Sequence, residues 1–89
     1  MFPFREMNLN NVRIRTFEKD ASIEELIWHR DAKDRIIKVI EGEGWYLQFD
    51  DELPFALHGG DILKIPKEKW HRVMRKNNCE KLTVEISEI

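Results

Sequence analysis

Apolar and polar residues alternate with a period of two through much of this chain, the spacing of β-strands with one buried face. Val12-Arg13-Ile14-Arg15-Thr16-Phe17 alternates and reads as the first strand. The β-branched run Arg35-Ile36-Ile37-Lys38-Val39-Ile40 is the clearest strand, and Trp45-Tyr46-Leu47-Gln48-Phe49 follows it after Gly42-Glu43-Gly44. Those glycines tolerate positive φ, so the two runs are expected to form a hairpin. Leu53 to Leu57 contains Pro54 and reads as a short edge piece. Ile62 to Ile65 is stopped by Pro66, while Trp70 to Met74 and the alternating Leu82 to Ile86 complete the series. Between Ile23 and Arg30, Glu24-Glu25-Leu26 favours helix and Ile27-Trp28 favours strand, which leaves both open. About eight short strands with a turn every ten residues or so predict an all-β barrel or sandwich with little or no helix. Pro3, Asn8, Asn10 and Asn11 make residues 1–11 a loose arm in this reading, and 12–89 a single barrel domain.

Size agrees, since 89 residues suffice for one core and no more. A composition 42% hydrophobic and 36% charged indicates a soluble globular domain. The 15 Lys and Arg, against 17 Asp and Glu, are dispersed and form no positive stripe, so nucleic acid is not an expected partner. No segment approaches the roughly 18 apolar residues of a membrane span and the first residues do not resemble a signal peptide, so a cytoplasmic location without membrane contact is expected. Cys79 is the only cysteine, which excludes an intrachain disulfide and a cysteine-based zinc site.

The candidate chemistry rests on histidines. On a strand His29 and Asp31 project to the same side, half of a metal grip, and His71 is the other histidine inside a strand pattern. Two histidines and a carboxylate make the facial triad suited to Fe(II), with coordination positions left open. The plain alternative is a polar cluster at a barrel mouth with no metal. His58, beside Gly59-Gly60, is expected to face solvent.

The segment His29 to Gly44 resembles the first motif of the cupin superfamily, in which His-x-His is followed by a Glu, an apolar strand and a glycine turn. Asp31 stands in the second His position and Arg35 in that of the Glu. Gly60-Asp61-Ile62-Leu63-Lys64-Ile65-Pro66-Lys67-Glu68-Lys69-Trp70-His71 is similar to the second motif in its glycine, proline and histidine; Glu68 stands where that motif has a later glycine, and Arg75 where it ends in Asn. The resemblance spans about Ile23 to Ile86. It implies a double-stranded β-helix, or jelly-roll cupin barrel, with a metal site of His29, Asp31 and His71 for a divalent Fe, Mn, Ni or Zn ion. It also implies a small-molecule substrate or ligand; oxygenation, isomerisation and lyase chemistry all occur on this fold.

Arg35 admits two accounts. It pairs with Asp31 in a buried, metal-free ion pair, or it receives the carboxylate or phosphate of an anionic substrate beside the metal. Gln48 and Tyr46 are further candidate substrate contacts, although Gln48 facing water would give β alternation with Trp45, Leu47 and Phe49 inward. By the same parity Ile36, Ile40, Trp28, Trp70 and Met74 face outward, an apolar surface that a homodimer, or the arm with Phe2 and Phe4, would cover. A metalloenzyme, a metal-free binding or regulatory module, and a structural protein with a vestigial pocket all remain open at this stage.

Overall fold

A computed structural model describes residues 4–22 and 26–88. Among these residues are eight strands: β1 (Phe4–Leu9), β2 (Val12–Phe17), β3 (Arg35–Glu41), β4 (Trp45–Phe49), β5 (Phe55–Ala56), β6 (Ile62–Ile65), β7 (His71–Arg75) and β8 (Leu82–Glu88). There is no helix among the described residues, and so none long and apolar enough to cross a membrane. Part of the ambiguous Ile23 to Arg30 segment, residues 23–25, lies outside the described residues.

The strands form two antiparallel sheets, ordered β1-β2-β8-β3-β6 and β5-β4-β7. Alternation along β4 and β8 buries Trp45, Leu47 and Phe49 from one sheet against Leu82, Val84 and Ile86 from the other. Two inward faces closing on each other in this way make the barrel predicted from strand rhythm. On β3 Ile37 and Val39 face in, while Ile40 is the extra residue of a β-bulge and is exposed. Trp28 and Trp70 are also exposed, as parity predicts.

Two local readings are corrected. Part of the expected loose arm, from Phe4 to Leu9, is a strand that pairs with β2. Asn10 and Asn11 both take positive φ, 47° and 69°, and so form the two-residue loop that joins paired strands. Asparagine is the side chain after glycine that best tolerates this conformation, so the pair that argues against helix argues equally for a hairpin.

Gly42 and Gly44 do not form the expected hairpin. The strands β3 and β4 share no ladder; they belong to different sheets. The glycines turn a corner between sheets, at φ of 147° and 85°. The Glu80 N–H donates to the Glu43 carbonyl and that of Lys76 to the Gly44 carbonyl, at 2.9 and 2.8 Å, which ties the corner to the β7–β8 connection. A Cβ at Gly44 would stand 2.9 Å from that of Cys79, so space and dihedral both require glycine.

Glu68, the residue standing in the second motif's glycine position, has φ of 61°. Left-handed backbone costs a side-chain-bearing residue roughly 1 kcal/mol. Against relief of this strain stands the loss of an exposed Arg30–Glu68 ion pair at 3.2 Å, a contact of a class worth about 0–1 kcal/mol. Glu68→Gly is therefore expected to raise the melting temperature by about 2–4 °C, and Glu68→Val to lower it. Thermal unfolding of the two variants beside the parent checks both signs.

Candidate metal centre and cavity

The sequence brings His29 and His71 together through backbone. His29 lies on no named strand, but it forms an isolated antiparallel bridge with His71: each N–H donates to the other's carbonyl, at 3.0 and 2.9 Å. Directly opposed residues project to one face, and the two imidazole centroids are 4.3 Å apart. Asp31, two residues beyond His29, is drawn to the same face, as strand periodicity predicts. Its carbonyl accepts the Glu68 N–H at 2.7 Å, and Asp34 Oδ1 accepts the Lys67 N–H at 2.7 Å, so the loop carrying Asp31 is fastened to the loop leading into β7.

Ligand atoms of His29, Asp31 and His71 all lie within 4.8 Å of one another. Both rings have a backbone carbonyl at Nδ1: Ile27 O at 3.0 Å from His29 and Lys69 O at 2.8 Å from His71. A carbonyl only accepts, so the hydrogen-bond network assigns the ring proton to Nδ1 and leaves Nε2 as the lone-pair nitrogen of each neutral ring. His71 is 3% exposed. Burial lowers its pKa below the ordinary histidine value, with the neighbouring charges of His29 and Arg35 acting in the same direction and the Lys69 carbonyl and Asp31 opposing. His71 is thereby neutral at pH 7, the state in which an imidazole binds a metal.

Asp31 Oδ2 is buried and has no hydrogen-bond partner among the described residues. It lies 3.4 Å from His71 Nε2. Two electron-pair donors thus face each other in a buried site, an arrangement that is unfavourable unless a cation lies between them. The donor set, two imidazole nitrogens and one carboxylate oxygen, fits a divalent transition metal.

Arg35 begins β3 and reaches the same site. Its Nη1 is 3.1 Å from Asp31 Oδ1 and its Nε 3.4 Å from Glu88 Oε2, and Glu88 Oε1 also accepts from Arg13. The two oxygens of Asp31 are therefore divided: Oδ1 faces the guanidinium and Oδ2 faces the histidines. An ion pair and an unpartnered oxygen coexist on one carboxylate.

Behind this cluster is a cavity of about 580 Å³, within the range of small-molecule sites. Its wall is mostly aliphatic, with Ile37, Leu47, Leu63, Val73, Val84 and Ile86 among its residues; His29, Asp31, Arg35 and His71 form the polar part. Arg15 also lines it, a residue not singled out from sequence. Arg15 and Arg13 share the face of β2 that carries the buried Phe17, while Val12 and Ile14 share the other.

Gln48 and Tyr46 do not join the site. They occupy the face of β4 opposite to Leu47, and neither lines the cavity. The Gln48 amide accepts from Arg72 Nε at 3.0 Å and donates to the Glu52 carbonyl at 3.2 Å. Of the two orientations left open for Gln48, the outward one is found, because Trp45, Leu47 and Phe49 fill the inward face. Lys76 Nζ sits 5.7 Å from the Tyr46 ring. His58 is exposed, with its backbone N–H on Asp61.

The fold occurs in solved structures. A cupin-2 domain protein from Shewanella frigidimarina is 25% identical over 93% of this chain and 76% of that one, with a TM-score of 0.62. A cupin superfamily protein from Desulfitobacterium hafniense is 20% identical over 97% of this chain and 77% of that one, with a TM-score of 0.67. Fe(II) HppE superposes with a TM-score of 0.72 at 8% identity, over 97% of this chain and 48% of its own. No protein-family model matches the sequence, and neither does any curated protein sequence. The chain has the cupin fold.

Proposed function

We propose that this chain is a small metal-binding cupin, in which His29, Asp31 and His71 hold one divalent Fe, Mn, Ni or Zn ion and the cavity receives a small anionic molecule. The reading is carried by one observation, the buried and unpartnered Asp31 Oδ2 directed at the His71 Nε2 lone pair. The Fe(II) named for one structural neighbour supports it further. When bound, the cation supplies Lewis acidity at open coordination positions. The chain's own groups do the rest. The Ile27 and Lys69 carbonyls hold both rings in one tautomer, and Arg35 holds Asp31 by Oδ1. A divalent cation and the Arg35 guanidinium would together outweigh the Asp31 charge, which favours an anionic ligand.

The Arg35–Asp31 contact favours a second reading, a metal-free binding module in which this ion pair takes the metal's place. Elemental analysis separates the two. Protein purified without chelator, incubated with each of the four metals and desalted, is expected to retain about one equivalent of at least one of them, and His71→Ala to retain none. If the parent protein holds no metal, the metal reading is lost and the ion-pair reading stands.

A further inference from the structure

The cavity carries two guanidinium groups, and the second of them tells more about the ligand than the first. Arg15 projects from β2 into a chamber whose wall is mostly apolar, and its side chain is only 14% exposed. Arg35, at 12%, lines the same chamber, near enough that the two charges repel. Each is held from one side by a more exposed glutamate. Arg15 donates through Nε and Nη2 to Glu6 Oε1, at 3.0 and 2.7 Å, with its guanidinium carbon 3.8 Å from the centre of the Phe4 ring. Arg35 donates through Nε to Glu88 and has Nη1 3.1 Å from Asp31 Oδ1. Neither Arg15 Nη1 nor Arg35 Nη2 has a hydrogen-bond partner among the described residues. Asp31, paired with Arg35 through Oδ1, is the one carboxylate lining this low-dielectric space among the described residues, so the two guanidiniums leave one positive charge unmatched within it, and a planar anion is the group that guanidinium donors match.

The rest of the space sets the remainder of the ligand. Among the described residues the wall offers no charged group apart from the candidate metal-site residues and the two arginines, so a sugar or a polyanion would leave most of its polar atoms unpaired against them. At the roughly 30 Å³ that a water occupies in the liquid, about 580 Å³ holds a molecule of on the order of ten to twenty non-hydrogen atoms.

We propose that the cavity binds an amphiphilic organic monoacid, its carboxylate between Arg15 and Arg35 and its hydrocarbon body against the aliphatic wall. This rests on the reading of the cavity as a ligand site and holds with or without a metal.

Calorimetric titration tests it with octanoate and phenylacetate as probes and octanol and phenylethanol as neutral counterparts, on metal-free and metal-loaded protein. The acids are expected to bind at least ten-fold more tightly than the alcohols. Arg15→Met, which keeps the aliphatic length, is expected to abolish that preference while metal content stays at the parental level. Glu6→Gln, on the exposed strand β1, releases the Arg15 fork and is expected to tighten acid binding several-fold, a gain that a purely structural Arg15–Glu6 pair would not give. Arg15→Lys, which keeps the charge, guards against misfolding of the Met variant and is expected to keep part of the preference. Equal binding of acids and alcohols, no binding of either, or an unchanged preference in Arg15→Met each overturns the proposal. Absence of metal from protein that still prefers acids removes the metal reading alone.

Discussion

Trp45→Ala is expected to leave the domain barely folded at 25 °C. Trp45 is fully buried and is the largest such side chain among the described residues, packed with its ring centre 5.5 Å from that of Phe17. It joins the sheets, since β4 lies in one and Phe17 of β2 in the other. Removing a buried tryptophan costs about 3–5 kcal/mol. A chain of this size has a total stability of roughly 4–13 kcal/mol at about 0.05–0.15 kcal/mol per residue, so the loss consumes much of the whole.

The indole also donates through Nε1 to the Glu80 carbonyl at 2.5 Å, on the connection that holds the Gly42–Gly44 corner. Trp45→Phe keeps most of the apolar volume and loses this bond, with an expected cost of about 1–2 kcal/mol. Urea unfolding followed by far-ultraviolet circular dichroism measures both variants. The ordering Ala well below Phe, and Phe below parent, is the expected result; equal losses would mean that the hydrogen bond, and not the packing, carries Trp45.

Packing of this kind makes the fold legible in the sequence, but not some of its joints. Alternation on β4 and β8 reports burial directly, because a residue on the wrong face would expose an aliphatic chain or bury a charge. It reports nothing about which strand lies alongside. Gly42 and Gly44 signal positive φ, yet the same dihedral serves a hairpin or a corner between sheets, and the choice is made by bonds from Lys76 and Glu80, more than thirty residues away. Asn10-Asn11 was locally decisive and needed only to be read as a two-residue loop.

The site divides in the same way. His29 and Asp31 share a face by period two, and placing His71 beside them required the long-range bridge that the second motif implies. Arg15 was hidden because alternation on β2 does not say which face is inward. Its apolar face, Val12 and Ile14, is the outer one, and the face with the arginines closes on the cavity. A strand that turns charge inward departs from the simple pattern where a ligand is to be held.

Adding the cognate divalent metal to metal-free protein is expected to raise its melting temperature by about 10 °C or more, and Asp31→Asn to remove nearly all of that rise. A ligand that binds only the folded state at a hundred times its Kd stabilises by about 2.7 kcal/mol. In a domain of this size each 1 kcal/mol moves the midpoint by about 4–8 °C. The asparagine keeps the volume and an acceptor oxygen but loses the charge on Oδ2, the atom facing His71 Nε2. It also leaves Arg35 with Glu88 as its remaining carboxylate. The two readings of the site then differ in the response to metal. If a metal is the missing partner, metal-free Asp31→Asn loses the Arg35 pair yet also sheds an unpartnered buried oxygen charge, so these effects oppose and its melting point stays within a few degrees of the metal-free parent. If the ion pair is the finished structure, the metal-free variant again keeps Arg35 on Glu88, and metal changes neither protein. Calorimetric melts of parent and variant, with and without metal, give the four values that decide it.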